Sequence, residues 1–240
     1  MAQSVGNAKN ILVGASPLFL SNIDINDADY ITNAEPGVLI AAAPSGTPAT
    51  VGVPAFAAGT SYTTTLNNVD QEAGKFGYRN VGFTNNGLQI TYNPTYDSVT
   101  VDQLLDTAKL FKSAMEVMIA TEMSEGTLEN VVAVFGQSGS TLGAASGSGT
   151  SKKQELGLAA GALGEAPTER QLIAVGQAPT ADSTLSERIY YARRVLSVQQ
   201  SQFSLARTTP TTFPVTFRLL PDADQAGTEY GKIIDRVLVA

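Results

Sequence analysis

Cysteine, histidine and tryptophan are all absent from this 240-residue chain, and only 15% of its residues are charged. Without cysteine there is no disulfide, thiolate zinc site or thiol nucleophile. Without histidine there is no Ser-His-Asp triad and no metalloprotease helix of the His-Glu-x-x-His type. Carboxylate pairs, Ser-Lys dyads and Mg²⁺ sites are the chemistries left open. The missing tryptophan removes the usual platform for stacking sugars. Long apolar runs are lacking too. The stretch Ile11 to Leu20 follows only Lys9, is interrupted by Pro17, and leads into Ser21-Asn22-Ile23-Asp24, a poor signal-peptidase site. Nothing approaches the ~20 apolar residues of a membrane span. The one Asn-x-Thr triplet, Asn93-Pro94-Thr95, contains the proline that blocks glycosylation.

What is present points to a folded, loop-rich β protein. Hydrophobic residues make up 43%, which is too apolar for a disordered chain, and 22 Gly and 11 Pro punctuate the sequence. The length suits one domain with large loops. A net charge of −7 argues against a protein that neutralises phosphates with Lys and Arg, and suits a surface that nucleic acid passes without sticking.

Ile11-Leu12-Val13-Gly14 and Leu18-Phe19-Leu20 read as a strand or an extended arm, and 36–68 as loop and short-strand material without helical periodicity. Asn86-Gly87 carries the signature of a type I′ hairpin turn, because both residues tolerate positive φ. Counting outward pairs Asn85 with Leu88, Phe83 with Ile90 and Val81 with Tyr92, and puts those apolar residues on one face. Leu104 to Glu122 is ambiguous. Its composition favours helix, while Met115, Val117, Ile119 and Thr121 alternate with Glu116, Met118, Ala120 and Glu122 as in a strand. Ser124 reads as an N-cap, with Leu128, Val131, Val132 and Phe135 at helical spacing and Gly136 as the stop, giving one amphipathic helix over about 125–135. The Gly/Ser-rich stretch about 137–153 is expected to be a mobile loop. Leu172–Val175, Ile189–Val198 and Phe213–Leu219 read as strands, and Tyr230 to Val239 as a segment able to join a sheet. The expected class is mainly β (α+β) with one flanking helix.

Motifs that carry chemistry are near misses. No Lys directly follows a Gly between Gly143 and Lys153, so there is no phosphate loop. Asp24, Asn26 and Glu35 match three places of a calcium loop, but Ala28 and Asp29 occupy positions that need a ligand and a glycine. Asp222 and Asp224 before Gly227 read as a turn. Arg188, Arg193 and Arg194 around Tyr190 and Tyr191 fit an exposed strand or subunit contact, with the arginines pairing to nearby acids, better than a base-stacking site.

Three stretches together resemble the major tail, or tail-tube, proteins of long-tailed bacteriophages. They are Val81–Ile90 followed by Val99–Gln103, Glu116–Glu122 running into Ser124–Asn130, and Phe213–Asp222 followed by Tyr230–Val237. They cover about half the chain, and 36–68 and 137–170 show no match. The resemblance implies a single domain over 1–240: a β-sandwich or barrel-like subunit with one flanking helix, an N-terminal arm (about 1–20) and extended loops. It resolves 111–123 as strand. It implies hexameric rings stacked into the tube through which phage DNA passes without specific binding. It also implies contacts with tape-measure, terminator and baseplate proteins, assembly in the host cytoplasm, residence in the virion tail, and neither catalysis nor a cofactor. Glu116 and Glu122 are its candidates for an acidic lumen; Ile11, Leu12, Val13, Asn86 and Gly87 are its candidates for assembly contacts. The competing classes are another virion component (terminator, decoration or fibre protein), a carbohydrate-binding adhesin, and an enzyme with paired carboxylates.

If the arm takes part in ring contacts, deleting residues 1–10 should abolish or sharply weaken polymer formation in negative-stain electron microscopy. Unchanged assembly would remove the arm from the contact set.

Overall fold

Residues that alternate apolar with polar form the half-buried strands, and residues apolar throughout form the strands covered on both faces. In the computed structural model, residues 16–21, 56, 59–67, 78–103, 106–138, 141–143, 146–147, 153–160, 163–164, 167–179, 186–198, 202–203, 205, 207 and 210–238 are described. Strands β1 (Leu18–Ser21) and β5 (Arg170–Gln177) are of the second kind. Leu18, Leu20, Leu172 and Ala174 point into one cluster, and Phe19, Ile173 and Val175 into another. Strands β4 (Thr107–Met123) and β7 (Phe213–Leu219) are of the first kind, burying Val117, Ile119, Met123, Phe213, Val215 and Phe217 from one side.

With β2 (Tyr78–Asn80), β3 (Thr84–Thr100), β6 (Ser186–Ser197) and β8 (Gly231–Val237), the described strands make one antiparallel sheet that does not close. Its order is β2-β1-β5-β6-β7-β4-β3, with β8 also on β6. The larger cluster joins side chains of β1 and β5 to those of β4 and β7, so the sheet bends over itself around a short helix.

One edge of β6 is divided between two partners. On one side β5 runs along most of its length, from Glu187 to Val195. On the other side β8 pairs with Ser186–Ala192 and β7 with Val195–Ser197. The chain returns from β7 through a turn over Asp222–Gly227 and enters β8 at Gly231, whose φ is +137°. A Cβ there would lie 1.9 Å from the Tyr191 carbonyl oxygen, so only glycine permits this approach. Arg188 on β6 grips Asp235 on β8 with two charge-assisted bonds, Nε–Oδ1 2.6 Å and Nη2–Oδ2 2.7 Å.

Several sequence expectations change. Asn86 and Gly87 do take positive φ (60° and 68°), but no hairpin turns there. Both lie inside β3, where Asn85 pairs with Glu122 and Gln89 already with Ala120, so the left-handed pair makes a bulge in one long strand. Ile90 faces Ile119 and Tyr92 faces Val117. The residues assigned to a common face part: Val81 is buried, while Phe83 is 80% exposed. The turn lies instead between Thr100 and Thr107. The strand alternative holds for 107–123, where burial alternates from Val117 to Met123.

The expected helix is α2 (Leu128–Val134), shorter than 125–135 and capped by Thr127 rather than Ser124; the Thr127 hydroxyl accepts the Asn130 N–H at 3.3 Å. Its stop is as read: Gly136 (φ 63°) closes a Schellman turn, with Gly136 N–H donating to Ala133 and Gln137 N–H to Val132. A second short helix, α1 (Tyr62–Asn67), stands in the region read as lacking one. It is held from across the chain. Glu187 on β6 accepts from the Tyr62 N–H at 3.0 Å and the Ser61 hydroxyl at 2.9 Å, and pairs with Arg236 of β8 at 2.6 Å. Local periodicity carries no trace of such a long-range cap. The described part of 137–153 is not simply a loop: Leu142 bridges to Leu156 and Ser146 to Lys153, with three backbone bonds of 2.8 Å.

Replacing Gly231 by alanine should cost about 3 kcal/mol or more, because the added methyl meets backbone carbonyl rather than a movable side chain. Urea unfolding of the two proteins measures this; a loss below about 1 kcal/mol would show that the fork does not depend on this residue.

Candidate assembly surface

Strands of 17 residues each make β3 and β4 a ribbon much longer than the sheet that supports it. β7 covers β4 only from Met118 to Met123, and no strand pairs with the outer edge of β3 among the described residues. Beyond that cover the pair stands alone. An isolated two-stranded ribbon is marginal in water unless an apolar face is covered. Here Tyr92, Tyr96, Leu110 and Phe111 are 65%, 57%, 64% and 46% exposed, and Val99 and Val101 are also exposed. Pro94 is tolerated because β3 lies at the edge of the sheet.

The root of the ribbon is fixed by polar contacts. Asn130, fully buried on α2, donates to the carbonyls of Val81 (2.9 Å) and Glu125 (2.8 Å) and accepts from Arg79 Nη1 (2.6 Å). The Glu125 carboxylate accepts the Phe83 N–H at 3.0 Å, and Ser124 N–H donates to the Phe83 carbonyl at 2.8 Å. Gly82, with φ 83°, passes so close to the Glu125 carboxylate that a side chain would displace it. Burial lowers the Arg79 guanidinium to about 10, with nearby Glu129 opposing the shift. The aim of the ribbon is therefore set by the short α2 and the two chain segments it ties together.

Beside the root runs an apolar groove of about 220 Å³, where Ile90, Tyr92 and Val117 of the ribbon face Tyr230, Lys232 and Ile233 at the start of β8. It opens where β7 and β8 diverge from β6.

The sequence-derived candidates fall at several places. Glu116 and Glu122 share the face of β4 opposite the core; Glu116 lies 3.7 Å from Arg218, and Glu122 accepts from Asn85 at 3.3 Å. Asn86 and Gly87 sit at the exposed bulge, where the Gly87 carbonyl accepts the Thr121 hydroxyl at 2.9 Å. Ile11, Leu12 and Val13 lie outside the described residues, as does the Asp24–Glu35 stretch. The arginine–tyrosine segment is not an exposed strand. It is β6, near the middle of the sheet, with Arg193 1% exposed; Arg193 bonds to Thr228, Arg194 to Glu169 and Arg188 to Asp235. Asp222–Gly227 is a turn, as read. No group of three acids able to hold a metal occurs among the described residues, and no helix among them is long and apolar enough to cross a membrane. The exposed apolar ribbon was missed in the sequence because the Asn86-Gly87 pair drew the turn to the wrong place. The signal available was the alternation on both sides of Asp102 and Asp106.

Asn130→Ala should cost about 2–4 kcal/mol in urea unfolding, since it removes the side-chain donor to the Val81 and Glu125 carbonyls and the closer of two acceptors for Arg79 Nη1. Stability within about 0.5 kcal/mol of the parent would refute the clamp. A second test concerns β8. The Arg188 bond holds the Asp235 carboxyl below the usual carboxylate range, so the pair's contribution is present above the unfolded carboxyl pKa, about 4, and lost as pH falls through the folded one. In Arg188→Gln, an NMR titration should find Asp235 returned to about 4; an unmoved midpoint would mean that another group sets it.

No protein-family model matches this chain, and no curated protein matches it.

Proposed function

We propose that this chain is a structural virion protein, a tail-tube subunit that self-assembles into stacked hexameric rings and forms the conduit for the phage genome. In this reading the bent sheet is the sandwich or barrel-like body and the ribbon is its docking arm. The observation that carries the reading is the ribbon itself: paired 17-residue strands with exposed apolar side chains and nothing among the described residues to cover their outer half. A lone monomer gains nothing from such an arm and risks aggregation, whereas a subunit whose every copy meets a neighbour uses it. The outer edges of β3 and β8 add backbone groups that a neighbour can pair. The resemblance to tail-tube proteins of Val81–Ile90 with Val99–Gln103, Glu116–Glu122 with Ser124–Asn130, and Phe213–Asp222 with Tyr230–Val237 supplies the particular assembly.

Glu116 and Glu122 then stand as candidates for the lumen wall, and Glu122 is the stronger because Arg218 faces Glu116. The net charge of −7 suits a channel that repels phosphate. Tape-measure, terminator and baseplate proteins would meet the ends of the tube, in a virion tail assembled in the host cytoplasm. No cofactor enters this role.

Electron microscopy of the purified protein over a concentration series tests the reading, with hollow tubes or stacked six-fold rings expected. Replacing residues 97–111 by Asn-Gly should leave far-ultraviolet circular dichroism and the urea midpoint close to the parent's while abolishing tubes. Tubes from the shortened protein would show that the ribbon is not the docking arm.

A further inference from the structure

The groove beside β8 and the tip of the ribbon are complementary in character and belong to the same chain, yet one chain cannot join them. The groove, at about 220 Å³, is smaller than the ~300 Å³ at which small-molecule pockets begin, and it is built of tyrosine rings and aliphatic side chains. That suits protruding side chains of a protein partner. Its lining holds one charged residue, Lys232, and no carboxylate. The ribbon tip has the opposite balance: Asp97, Asp102 and Asp106 stand there against a single lysine, Lys109, which pairs across the ribbon with Val99. Exposed Val99 and Val101 stand among them. Val101, one residue past the end of β3, lies nine positions from Tyr92 in the groove, about 30 Å at ~3.3 Å per residue. A ribbon whose strands stay paired along that length cannot fold its tip back onto its own root. A second copy can present one.

We infer that the tip of the β3–β4 ribbon of one copy docks in the groove of another, with Val99 and Val101 against Tyr92, Tyr230 and Ile233 and an acidic tip residue facing Lys232. The contact is heterologous: each copy offers a tip at one end and a groove at the other, so a closed ring or an open stack results and not an isolated pair. The inference rests on the self-assembly reading and specifies the surface that receives the arm.

The absence of cysteine makes trapping clean. Val101→Cys and Ile233→Cys alter exposed side chains, 39% and 66% accessible, so both proteins should fold. Mixed one to one under polymerising conditions and oxidised mildly, they should give a disulfide-linked heterodimer on a non-reducing gel, well above either homodimer, because bridging needs Cα atoms within ~7 Å. Lys232→Glu alone and Asp102→Lys with Asp106→Lys should each raise the critical concentration for assembly roughly tenfold, and their combination should restore it. Tubes that form without cross-linking and ignore both charge reversals would overturn this contact while leaving self-assembly intact. Monomers at every concentration, with no cross-link, would overturn both. Cross-linking equal to that of an Ile233→Cys and Thr64→Cys control pair would mark random collision and also overturn the contact.

Discussion

An antiparallel strand offers two edges, and β6 divides one of them between β8 and β7. The rest of the architecture depends on that division. Two strands can share one edge only if the chain joining them turns sharply at the point of divergence, and the turn must bring backbone against backbone. Gly231 supplies the place, because the Tyr191 carbonyl occupies the space where any other residue would carry its Cβ. Once β7 leaves β6 there, it takes β4 with it, and β4 takes β3. The ribbon, the groove and the bend of the sheet are all consequences of one strand being released from its neighbour after three residue pairs.

The polar contacts follow the same logic. They are concentrated where the sheet must be held in a shape that backbone pairing alone does not dictate. Asn130 ties the segment before β3 to the one after β4, which fixes the direction in which the ribbon leaves. Glu187 ties α1 to the strand pair β6–β8 through Arg236. Both are buried, and buried groups of this kind are expensive to leave half-satisfied. Their value lies less in net stability than in allowing a single arrangement at the two ends of a sheet whose middle is fixed by aliphatic packing.

How much of this was legible depended on the range of the interaction that decides each element. β5, β6, β7 and β8 were readable because their apolar residues alternate or run together within eight or twelve positions, and local pattern suffices for that. The Schellman stop at Gly136 was readable for the same reason. The bulge was half readable: sequence assigned positive φ to Asn86 and Gly87 correctly, but two left-handed residues serve a bulge as well as a turn, and the choice is made by the strand opposite. The cap at Thr127 prevailed over Ser124 because Glu125 and the 124 amide are engaged with Phe83, which delays the start of the helix. The α1 segment was invisible, since its first amide, that of Tyr62, is satisfied by a carboxylate 125 positions away. The candidate surface was the least legible part, because exposure of Tyr92, Tyr96 and Leu110 is a property of where the sheet stops.

A chain with net charge −7 and a row of exposed apolar side chains along one ribbon meets two opposing demands. Like charge keeps copies apart over a Debye length of about 8 Å at physiological salt, and apolar contact acts only once surfaces touch. Concentrating the apolar residues on a projecting ribbon reconciles them, because a narrow arm can reach contact while the charged bodies stay farther apart. In the assembly we propose, a groove at the root and a tip at the far end of the same strands give the association a direction. An open stack built in this way would keep one tip and one groove free, so growth could continue from either end, whereas a closed ring would leave none.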